Sequence, residues 1–76
     1  MYTIGYLWKT QGKKFGIKVR YVDWGHRFRY FEIKRYDANQ KRFYGVLDTG
    51  EIMSYALDSD HWKIYEDGDE DFAQAI

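Results

Sequence analysis

Lys18, Arg20, Arg27, Arg29, Lys34, Arg35, Lys41 and Arg42 are interleaved with Trp24, His26, Tyr30, Tyr36 and Tyr44 in the middle of a 76-residue chain. This mixture suits phosphate neutralisation combined with base stacking, the two interactions by which proteins hold a nucleic-acid strand without reading its sequence. The residues singled out for such a face are Lys18, Arg20, Trp24, His26, Arg27, Arg29, Tyr30, Arg35 and Arg42. A plainer reading makes the aromatics core and the cations the solvated side of strands, because a sheet with one wet face must alternate in this way.

Charge is sorted along the chain. Residues 1–44 hold eleven Lys/Arg against three Asp/Glu, whereas residues 45–76 hold one Lys against nine Asp/Glu. The formal net charge of zero therefore hides a basic body followed by an acidic end. A basic body points to a polyanion or an acidic protein surface as partner, with the chain's own end as a competitor. In that end Asp69, Glu70, Asp71 and Phe72 are the candidate partner-binding residues. A frayed, solubilising terminus is the plainer alternative.

Other chemistries are poorly supplied. The chain has no Cys, so it has neither a disulfide framework nor a thiolate metal site. Asp58, Asp60 and His61 crowd one turn, and Asp67, Asp69 and Asp71 alternate without the Gly and distal Glu of a calcium loop. Two histidines leave few pairings of nucleophile and base, and His61 beside Asp60 and Ser59 is adjacency in sequence, not a triad in space. The expectation is a non-enzyme with no catalytic residues, no metal site and no cofactor.

These residues must be positioned by strands. Tyr2, Ile4, Tyr6 and Trp8 alternate with Thr3, Gly5, Leu7 and Lys9, which predicts a first strand. Phe15, Ile17, Val19 and Tyr21 predict a second, paired to the first as a hairpin. Residues 27–36 change phase between Tyr30 and Phe31, which predicts a bulge near Tyr30. Residues 42–47 and 51–57 read as a fourth and a fifth strand joined by a tight Asp48-Thr49-Gly50 turn. Asp58, Ser59 and Asp60 form a polar turn before a last strand at 61–65. No long helix is expected. The predicted core is Ile4, Tyr6, Trp8, Phe15, Ile17, Val19, Phe31, Ile33, Val46, Leu47, Ile52, Leu57 and Ile64.

Five to six short strands in so small a chain predict an all-β fold, a strongly bent antiparallel barrel over residues 1–66 with an acidic tail at 67–76. The order of hairpin, long bent middle strand, Gly turn, polar one-turn segment and last strand resembles the Src-homology-3-type and Tudor-type small barrels, with the oligonucleotide-binding barrel as rival. That resemblance is of architecture alone, and no binding residues are carried over from it. Over about ten residues the tail resembles the acidic tails of single-strand DNA-binding proteins, whose apolar tip docks partners. Here Phe72 is followed by Ala73, Gln74, Ala75 and Ile76.

The opening residues lack the cationic start and apolar run of a signal peptide, and no segment approaches the roughly 18 apolar residues of a membrane span, so a cytoplasmic monomer with no membrane partner is expected. Two functions from different classes fit. One is a nucleic-acid-binding module with an acidic regulatory tail. The other is a protein-interaction module or inhibitor, for instance a small phage-encoded protein that blocks a host enzyme.

Overall fold

The computed structural model describes residues 1–66. Its elements are α1 (Ile4–Thr10), β1 (Lys18–Tyr21), a single 3₁₀ turn at Val22–Trp24, β2 (Phe31–Asp37), β3 (Arg42–Leu47), β4 (Ile52–Ala56) and β5 (Trp62–Ile64). The strands form one antiparallel sheet in the order β4-β3-β2-β1-β5. The sheet is not closed into a barrel.

The predicted first strand is a helix. Ile4, Leu7 and Trp8 lie at the i, i+3, i+4 spacing that puts three apolar side chains on one helical face. Thr3 caps it, its Oγ1 accepting from the Tyr6 N–H at 3.1 Å. The N–H groups of Ile4 and Gly5 donate to the carbonyls of Ser59 (2.9 Å) and Leu57 (3.0 Å), so the chain between β4 and β5 satisfies donors that a helix start leaves open. At the other end Gly12 sits at φ 80°. The Lys13 N–H donates to the Trp8 carbonyl and the Gly12 N–H to the Lys9 carbonyl, a Schellman stop. The predicted hairpin is therefore absent, and β1 pairs instead with β2 and β5.

The second strand is shorter than expected, and Phe15 is exposed. The phase change in β2 is real but falls between Ile33 and Arg35, so Lys34 is the bulged residue. β3 has the predicted limits, and β4 and β5 lie within theirs.

The core lies between the inner sheet face and α1. It comprises Ile4, Leu7, Trp8, Val19, Phe31, Ile33, Phe43, Leu47 and Trp62. Trp62 is its centre: the rings of Tyr55, Tyr21, Trp24 and Phe31 lie 4.7, 5.4, 5.4 and 6.2 Å from it, and its Nε1 donates to Ser59 Oγ. Four predicted core residues are elsewhere. Tyr6 lies on the wet side of α1, Phe15 precedes β1, and Val46 and Ile52 fall in the outward phase of β3 and β4, where Ile52 is 80% exposed.

Gly45 allows β3 to approach β2 closely. A Cβ there would meet the Glu32 carbonyl oxygen at 1.9 Å and the Phe31 ring at 3.0 Å. At the other sheet edge Tyr2 exchanges two backbone hydrogen bonds with Trp62 and so covers β5. Among the described residues no helix is long and apolar enough to cross a membrane.

Candidate polyanion-binding face

Since Phe43, Gly45 and Leu47 point inward, Arg42, Tyr44 and Val46 must point outward, and the register carries this phase across the sheet. One cross-strand row holds Lys18, Glu32, Val46 and Ile52, the next Arg35, Tyr44 and Ser54, and a third Asp37, Arg42 and Ala56. Arg20 pairs with Lys63 across β1 and β5. The outer face thus carries Lys18, Arg20, Arg35, Arg42 and Lys63 against Glu32 and Asp37.

Most of these cations are held in place. Lys18 Nζ lies 4.6 Å from the centroid of the Tyr30 ring, which packs 5.1 Å from Tyr65. The Arg35 guanidinium sits 4.3 Å over the Tyr44 ring, and the Tyr44 hydroxyl donates to Gln40 Oε1 at 2.6 Å. Arg42 donates to the hydroxyl and carbonyl oxygens of Ser54 at 3.1 to 3.3 Å. Lys34, at the bulge, is paired with Glu32 at 2.6 Å. Beside Arg35 and Tyr44, with Lys34, Val46 and Ile52, lies a shallow depression of about 200 Å³.

Arg20 has a different task. It donates to the carbonyls of Gly25, of Phe28 (2.6 Å) and of Arg29 (3.1 Å), tying the loop between the 3₁₀ turn and β2 to the strand. That loop carries four of the sequence-selected residues, the exposed His26, Arg27 and Arg29 and the half-buried Tyr30. Arg29 Nε is 3.7 Å from Asp48 Oδ2. Trp24 is turned away from the outer face, packing edge-on against Trp62 and Phe28.

Of the nine selected residues, Lys18, Arg20, Tyr30, Arg35 and Arg42 share one side of the sheet. His26, Arg27 and Arg29 sit on an adjoining loop, and Trp24 belongs to the core side. Lys63 and Tyr65 were missed; their signal is period two through Trp62 and Ile64, which points Lys63 outward with Arg20. Asp69, Glu70, Asp71 and Phe72 lie outside the described residues. Among the described residues no three His, Asp or Glu side chains gather as a metal site would require. No protein-family model, no curated protein and no solved structure matches the chain.

Proposed function

We propose that this chain is a non-enzymatic binding module that takes nucleic acid, as a polyanion, on the outer face of its sheet, with the acidic residues 67–76 as regulator. One observation carries the reading: five cations from β1, β2, β3 and β5 face the same way with two carboxylates among them. Neutralising phosphates releases condensed counterions, so such a face gains affinity from charge alone. The module acts as a cytoplasmic monomer. Its bent sheet is of Src-homology-3 or Tudor type, a reading supported by the bulged β2, the Gly turn after β3 and the return of β5 beside β1.

The test is titration of a labelled oligonucleotide at low salt, repeated as salt rises. Binding that weakens steeply and linearly in log–log form supports the proposal. Absence of binding at the lowest salt removes it.

A second reading, a protein-interaction module or inhibitor, is supported by β4. Ile52, Met53, Ser54, Tyr55 and Ala56 carry no charge, and the strand stands at an end of the sheet with Ile52 exposed. Uncharged edges invite strand addition. Under that reading Ile52→Lys abolishes partner capture from nuclease-treated lysate, whereas under the first reading the added cation, in the row of Lys18, tightens oligonucleotide binding.

A further inference from the structure

A polyanion can be held by its phosphates alone or also by stacking its bases, and the two demand different aromatic surfaces. Stacking needs a ring with a bare face turned to solvent. On the outer face the rings are already engaged. Tyr30 has the Lys18 ammonium 4.6 Å from its centroid and the tilted Tyr65 ring at 5.1 Å. Tyr44 is half-buried, carries Arg35 at 4.3 Å over its ring, and is fixed through its hydroxyl to Gln40. Trp24, the residue best suited to stacking, is packed against Trp62 and Phe28.

The tyrosines therefore serve the cations. A ring beneath an ammonium or guanidinium group orients it, and Ser54 does the same for Arg42 with three hydrogen bonds. Side chains ordered beforehand lose less freedom on meeting a phosphate. The result is a surface of fixed positive charges without a stacking platform.

Resting on the polyanion reading above, we infer that the face grips the phosphate backbone of double-helical nucleic acid and does not stack bases. A duplex presents one negative charge per roughly 1.7 Å of axis and keeps its bases inside. A single strand has less charge to offer per unit length, and this face gives its bases nothing in return.

The experiment uses the full chain and four labelled probes of equal length: a DNA duplex, the matching RNA duplex, a mixed-sequence single strand and an oligothymidine. Both duplexes are expected to bind about tenfold tighter than either single strand at the same low salt, with a log–log salt slope closer to 0.9 than to 0.7 per contacted phosphate. Tyr44→Leu, which frees Arg35, is expected to weaken all four probes by the same factor, leaving their ratio unchanged. A single strand that binds as tightly as the duplex, or a selective loss of single-strand binding in Tyr44→Leu, overturns the inference while the polyanion reading stands. Failure of every probe to bind overturns both.

Discussion

Arg20 and Arg35 are the same side chain put to different uses, and the difference is measurable. Arg20 holds three loop carbonyls, so Arg20→Ala should cost about 1–2 kcal/mol, a drop of several degrees in Tm for a domain this small. Arg35 is exposed and touches a ring, so Arg35→Ala should leave Tm unchanged within about 0.5 kcal/mol and weaken only binding. Thermal melts of the two variants check this. Tyr55 offers a test by pH. Burial against Phe31 and Trp62 raises its phenol above the ordinary 10.0, because the phenolate would be desolvated there. A raised acid keeps its proton in the folded state after the unfolded chain has lost it. Its contribution is therefore full below pH 10 and is lost as pH climbs through the folded value. Urea titrations should show the native chain losing more stability than Tyr55→Phe above pH 10, and equal behaviour in the two chains would refute the assignment. Gly45→Ala should cost about 1–3 kcal/mol, since the added carbon meets backbone rather than a movable side chain.

At the scale of elements, legibility followed how local the decision was. The limits of β3 were readable to the residue because it runs between two turns, the second ending in Gly50 at φ 91°, but its phase was not, since the predicted core took Val46 with Leu47 and left out the buried Phe43. The helix was not readable. Its seven residues satisfy period two through Ile4, Tyr6 and Trp8 and period 3.6 through Ile4, Leu7 and Trp8. The choice is made by partners more than forty residues away, the Leu57 and Ser59 carbonyls that accept its first N–H groups. Thr3→Ala removes the cap and should cost about 0.5–2 kcal/mol. The same change would cost little if residues 2–9 were a strand. The candidate site was half legible for a related reason: outward phase in β1 and β2 could be counted, but nothing in the sequence told which aromatics the core would claim. Trp24 went inward because it flanks Trp62, a contact between residues far apart in the chain.

The whole chain separates its charge in sequence, eleven Lys/Arg to three Asp/Glu in residues 1–44 and one to nine in residues 45–76. Tyr65 lies against Tyr30 beside Lys18, so residues 67–76 leave the described part of the chain at one margin of the basic face. The sheet is five strands wide, about 19 Å at the usual strand spacing, and ten residues reach about 33 Å when extended. If the proposed competition operates, a tether of that length would give its four Asp/Glu side chains an effective concentration of about millimolar at the face. Deleting residues 67–76 should tighten oligonucleotide binding, most at low salt where screening is weakest. Unchanged affinity at every salt concentration would show that the tail does not compete.

A polyanion lying on the outer face of β1, β2 and β3, as proposed, would meet Lys18 and Arg35 there. The most direct measurement is the slope of log affinity against log salt for an oligonucleotide duplex, compared between the native chain and the Lys18→Gln/Arg35→Gln double variant. Both residues are exposed, so the variant should keep its Tm, while the slope should shrink by about two units and affinity fall at every salt concentration. A folded double variant with the native slope and affinity would contradict the account.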